Sequence, residues 1–217
     1  MRSLCLFVSL TAFTASFAAA GPVVGSNDSG NCYPFSCFAY DGGTVYQEVY
    51  SSSAFSGPIS ISSLTFYQSQ GGGMDDANYT IDLSTTSSNI GDGYPLVVGA
   101  DDQLFGTFHI SGNMPASLTL TGTPFSYNPL NGNLLMQVTV GTVNSVNPCG
   151  AGYCSFFEAD YTGAVVSRAY TGNIYGVGGG QGALVTGFNV SSTPEPATLG
   201  LFGSGLAAIA ALRRRRK

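Results

Sequence analysis

Three sets of residues in this chain are of types that could do chemistry. Acid–base work would fall to Glu48, Glu158 and Asp160, the carboxylates with aromatic neighbours Tyr46, Tyr50, Phe157 and Tyr161. A glycosidase needs two such groups facing one another across a cleft. Nucleophilic catalysis would need the single histidine, His109, but no G-x-S-x-G elbow or similar motif places a serine for it. His109 alternates with Phe108 and Ile110, so on a strand it points away from the face those two share. Hard oxygen ligands occur in acidic stretches read as loops, Asp75-Asp76 with Asn78, Asp92, and Asp101-Asp102. Gathered together they could ligate Ca2+, although none has EF-hand spacing. The expectation is a chain with no catalytic residue and no resident metal.

Cysteine usage adds a structural chemistry. Cys32 and Cys37, and Cys149 and Cys154, form two pairs with four residues between the partners. Outside the cytosol disulfides are the default. Of three possible pairings, Cys32 with Cys37 and Cys149 with Cys154 is favoured, since each closes a short loop that can form as the chain emerges, whereas cross-pairing would stabilise more by tying distant segments. A four-thiolate zinc site is the remaining alternative.

The elements that must carry these residues have a β period. Apolar residues alternate with polar ones at Leu134, Met136, Val138 and Val140, at Tyr79, Ile81 and Leu83, at Leu118 and Leu120, and at Phe108 and Ile110. Ile59 and Ile61 keep one phase and Leu64 and Phe66 the other, which places a bulge or corner at Ser62-Ser63. The glycine-rich stretches, Asp41-Gly42-Gly43, Gly71–Gly73, Gly91-Asp92-Gly93, Asn131-Gly132 and Gly178–Gly180, read as turns. A last strand is expected over Ala183–Val190. No fixed-period repeat is present, and outside the two ends no window has a helical stripe. The pattern predicts an all-β domain, an antiparallel β-sandwich of jelly-roll kind, with a barrel as the alternative.

Tyrosine and threonine raise two binding possibilities. All 12 tyrosines lie between the two ends, and exposed aromatics beside Asn, Asp and Gln can stack sugar rings; the chain has no tryptophan. Thr119, Thr121 and Thr123 are too few for the flat threonine array of an ice-binding face, and ordinary alternation toward solvent accounts for them.

The two ends address the protein. Arg2, the apolar stretch Leu4–Phe17 and Ala18-Ala19-Ala20 form a secretory signal peptide, residues 1–20, cut before Gly21 and taking Cys5 with it. At the other end Pro194-Glu195-Pro196 precedes an uncharged run, Ala197–Leu212, and then Arg213, Arg214, Arg215, Arg216 and Lys217. As a helix the run would be roughly 24 Å long, marginally enough for a membrane. The basic cluster would hold the C-terminus on the cytoplasmic side.

This three-part ending resembles the PEP-CTERM sorting signal of Gram-negative bacteria, also catalogued as an ice-binding protein C-terminal domain. The resemblance covers residues 194–217 and implies recognition of Pro194, Glu195 and Pro196 by an exosortase-like membrane enzyme. It further implies cleavage near that site and delivery to the cell surface or an exopolysaccharide matrix. The stretches TVYQEVYSSSAFSGPISISSLTFY and GNLLMQVTV resemble small PEP-CTERM proteins of unknown function and bring no activity with them.

Removing both ends sharpens the charge. Between Gly21 and Thr193 lie 11 acidic residues and one cation, Arg168, a formal charge of −10. Such a surface repels phosphate backbones, so nucleic-acid binding is not expected. The 173 residues from 21 to 193 suffice for one domain. The sequence therefore predicts an exported, non-enzymatic surface or matrix protein of structural or adhesive role. A carbohydrate-binding module for exopolysaccharide is the second reading and a glycoside hydrolase the third.

Overall fold

The computed structural model describes residues 21–37, 43–146, 154–172 and 176–191. Where apolar and polar residues alternate, strands form with the apolar side turned inward. The strands are β1 (Val23–Val24), β2 (Ser29–Asn31), β3 (Val45–Tyr50), β4 (Ile59–Gln70), β5 (Gly73–Thr86), β6 (Gln103–Asn113) and β7 (Ser117–Tyr127). They continue with β8 (Asn133–Ser145), β9 (Phe156–Asp160), β10 (Val166–Gly172), β11 (Gly176–Gly180), β12 (Ala183–Leu184) and β13 (Thr186–Ser191). Short 3-10 turns at Ser52–Ala54 and Pro129–Asn131 are the only helical elements among the described residues.

The strands build two antiparallel sheets. One runs β1-β13-β4-β9-β12, with β7 on the flank of β4 away from β13 and β2 beside β9. The other runs β11-β10-β3-β8-β5-β6. Their inner faces share one core. Ile61, Leu64, Phe66 and Phe188 come from the first sheet, and Tyr50, Tyr79, Ile81, Met136 and Val138 from the second, all fully buried or nearly so. Tyr50 and Phe188 meet edge to face across the gap, ring centres 5.1 Å apart.

The expected irregularity in β4 is present. Against β13 the register shifts between Asn189 and Val190, paired with Ser63 and Ile61, so Ser62 is the extra residue; β7 opposite bulges too, and Ile61, Leu64 and Phe66 all remain inside. Sheet edges approach where β6 meets β7. There Gln103 Nε2 donates to the Pro124 carbonyl at 3.1 Å, and Gly122 lies so near Phe105 that a Cβ would strike its carbonyl oxygen and ring.

The segment between β5 and β6 crosses the outer face of the second sheet. Leu96 from it joins Val49, Leu135 and Ala169 in a second small core. Gln47 pins it, accepting from Leu96 N–H at 2.8 Å. This covering explains why both faces of β3 are buried.

Several expectations need correcting. Gly178–Gly180 is strand, the end of β11, and not a turn; glycine carries no alternating pattern from which pairing could be read. Asp75, Asp76 and Asn78 stand on β5 and not in a loop, because Gly73 already pairs with Asn113 of β6 and starts the strand. The last strand divides at Val185, β12 pairing with β9 and β13 with β4.

Cys32 and Cys37 form a disulfide, which removes both thiols from any four-thiolate zinc site. Their loop inserts Phe35, fully buried, whose ring lies 5.0–5.5 Å from those of Phe66, Tyr79 and Phe157. Cys154 is also disulfide-bonded, to a partner outside the described residues, where Cys149 lies.

Candidate functional site

The most elaborate polar site in the molecule is sealed inside it. Alternation along β3 puts Tyr46, Glu48 and Tyr50 on one side, and that side faces the other sheet; all three are fully buried. The Tyr46 hydroxyl donates to Glu48 Oε1 and the Tyr50 hydroxyl contacts Oε2, each at 2.5 Å. Leu184 N–H, from the opposite sheet, donates to Oε1 at 2.5 Å. Tyr50 also meets Thr186 Oγ1 at 3.0 Å, and that hydroxyl donates to the Leu184 carbonyl at 3.2 Å. Glu48 is thus a polar bolt between the sheets.

Burial dominates its ionisation. Loss of water raises the Glu48 carboxyl to about 7, although the two tyrosine hydroxyls, the Leu184 N–H and the charge of Arg168 all oppose the shift. The arrangement suits a neutral carboxyl. A proton on Oε2 can pass into a hydrogen-bond chain through Tyr50 and Thr186 to the Leu184 carbonyl, leaving Oε1 to accept. Tyr46 and Tyr50 are raised well above ordinary tyrosine, first by burial and then by Glu48.

Arg168, opposite Glu48 on β10, is the only cation among the described residues. Its guanidinium carbon lies 5.4 Å from the Tyr33 ring centre and 5.5 Å from that of Tyr170, a stacking geometry that Arg favours. Nε donates to the Gln181 carbonyl at 3.0 Å, while Nη1 is buried and has no hydrogen-bond partner among the described residues.

The other carboxylates read as candidates are engaged differently. Asp160 is buried and accepts from Ser26 N–H and from Thr162 and Gly163 in the following turn. Burial would raise it, but the Thr162 hydroxyl and the three N–H groups together hold it below the usual carboxylate range. Glu158 is half-buried on β9, where its backbone pairs with Gly30. Of the aromatic neighbours, Tyr46 and Tyr50 bind Glu48 itself, Phe157 is in the core, and Tyr161 is exposed.

His109 points outward as expected, and its Nε2 lies 3.5 Å from Asp76 Oδ1. Asp75 is buried whereas Asp76 reaches solvent. Asp101 accepts from the backbone and hydroxyl of Thr85, and Asp92 accepts from Asn89 N–H. Asp82 is raised by burial and then by Asp102. Among the described residues, no three His, Cys, Asp or Glu side chains are grouped to hold a metal ion.

A sugar platform on clustered tyrosines meets a plain obstacle, since Tyr46, Tyr50, Tyr79 and Tyr127 are all interior. The surface offers a groove instead. Ile59, Ser60, Thr85, Asp101, Ser126, Asn128 and Asn131 line one part, and Ser52, Ser53, Phe55, Pro129 and Leu130 the next, with Pro58 in both. Both 3-10 turns contribute to its walls, and Leu130 is 89 % exposed. The groove was not legible in the sequence, because it is assembled from three separate connections and the strand ends beside them. Ser191 pairs with Ser60, so β13 ends beside it.

Residues 192–216, which follow β13 directly, match the family model of the PEP-CTERM protein-sorting motif. The chain carries a PEP-CTERM sorting signal. No curated protein and no solved structure is detectably similar to it. A PEP-CTERM motif marks an exported protein that is processed by an exosortase, a membrane enzyme, and sorted to the cell surface. Pro194, Glu195, Pro196 and the cluster Arg213–Lys217 lie outside the described residues, as do the expected signal peptide and the apolar run 197–212. Among the described residues no helix is long and apolar enough to cross a membrane.

Proposed function

We propose that this PEP-CTERM protein is a structural or adhesive component of the surface or extracellular matrix of a Gram-negative bacterium. It is built on a jelly-roll-like β-sandwich and is not an enzyme. The observation that carries this reading is the use made of Glu48. The residue best suited by its shifted ionisation to acid–base work joins Leu184 of one sheet to Tyr46 and Tyr50 of the other, with no exposed surface. Asp160 is likewise committed to fixing a turn.

A carbohydrate-binding role is the second reading, favoured by the groove of hydroxyl, amide and carboxylate side chains around Pro58. The two separate in one experiment, in which the exported chain is titrated with the host's own exopolysaccharide, with and without calcium. The structural reading expects no saturable binding. Saturable binding weakened by Asn131→Ala would replace it with the carbohydrate-binding one. Turnover of a chromogenic glycoside, lost on Glu158→Gln, would overturn both in favour of a hydrolase.

A further inference from the structure

The second sheet ends on an unusually bare strand. β11, Gly-Val-Gly-Gly-Gly, pairs with β10 from Arg168 opposite Gly180 to Gly172 opposite Gly176. Among the described residues, no hydrogen bond reaches its other edge, and Gly176, Val177 and Gly179 are exposed. Edge strands are normally shielded by charges, proline or bulges, because their unpaired N–H and C=O groups template another strand. β11 has no charge, no proline and a continuous register with β10. The opposite edge of the same sheet is guarded, since β6 lies against β7.

We propose that β11 is a self-association edge, at which two copies of this chain pair antiparallel, β11 to β11, and join their six-stranded sheets. Charge favours this edge over the rest of the surface. From Tyr161 to Pro194 the sequence contains no acidic residue, and it contains Arg168, the only cation between Gly21 and Thr193. Two domains that each carry a formal −10 repel least where their acids are absent. Composition favours a second copy over a foreign peptide. Strand addition draws selectivity from pockets for alternate side chains, and a strand of four glycines and one valine builds none. Pairing through backbone alone suits a partner that is abundant nearby, which sorting to one surface supplies. The same two-fold contact is closed, so it yields a dimer and leaves no second β11 edge to extend it.

The inference stands on the edge strand and not on the matrix role, so either can fail alone. The test is the mass of the full chain in detergent by light scattering over a concentration series, for wild type and Val177→Lys. Val177 is 68 % exposed, so lysine there adds charge to the edge without entering the core. Circular dichroism checks that the variant is folded. A concentration-dependent dimer, shifted at least tenfold toward monomer by Val177→Lys, supports the proposal. A wild type that stays monomeric throughout overturns it, as does a dimer that folded Val177→Lys leaves unchanged, which would place the contact elsewhere.

Discussion

Glu48 makes a contribution to stability that is lost as pH rises from mildly acid to neutral. Its carboxyl titrates near 7 when folded and near 4.5 when unfolded. Between those values the folded state holds the extra proton, so its contribution is complete below about 4.5 and is lost as pH rises through 7. The difference corresponds to roughly 3 kcal/mol. Asp160, held low, contributes the other way, and its share is lost as pH falls through its depressed folded value. Urea denaturation at a series of pH values should show stability declining from mildly acid to neutral pH. Glu48→Gln keeps an acceptor for Tyr46 and Leu184 and offers an amide donor to Tyr50, so it should flatten that decline. An unchanged slope in the variant would show that Glu48 is not its source. Sequence reading identified Glu48 as unusual for its aromatic neighbours but assigned it to a potential cleft. A strand with both faces buried gives no alternation from which to tell inward from outward, and the covering segment that buries β3 is distant in sequence.

At the scale of elements, alternation was a reliable guide wherever one face met solvent. β7, β8 and the Tyr79–Leu83 stretch of β5 were legible for that reason, and the bulge at Ser62 against β13 followed from a change of phase within β4. Strands without side-chain pattern were not legible, and β11 is the clearest case. Pairing changes such as that at Val185 also escape a local reading, because the neighbour of a strand is set by the whole sheet. The β6–β7 edge yields a specific expectation. Gly122→Ala forces a methyl into Phe105 at a packed corner, whereas Gly57 has open space around its Cβ position. The first should destabilise by about 1–3 kcal/mol and Gly57→Ala by a few tenths at most. Equal melting temperatures for the two variants would mean that the corner relaxes freely.

For the whole molecule, the sequence was most informative at its C-terminal end and least at its centre. The sorting motif is contiguous and so can be read directly, whereas the groove and the Glu48 bolt exist only after folding. Processing is the property to measure at this scale. Intact mass of the surface form should begin at Gly21 and lack Arg213–Lys217, and a surface form that retains the basic cluster would contradict cleavage by an exosortase. One further consequence follows from where the final strand lies. β13 is hydrogen-bonded on both flanks, to β1 and to β4, and Thr186 at its start meets Tyr50 of the other sheet. A load applied to Ser191 along the axis of β13 would shear its rungs to β4, and those of Thr186 and Gly187 to β1, together instead of unzipping them one by one. A strand loaded in this way resists pulling better than one peeled from a sheet edge, and the groove lies beside the end of β13 from which the sorting signal continues in sequence.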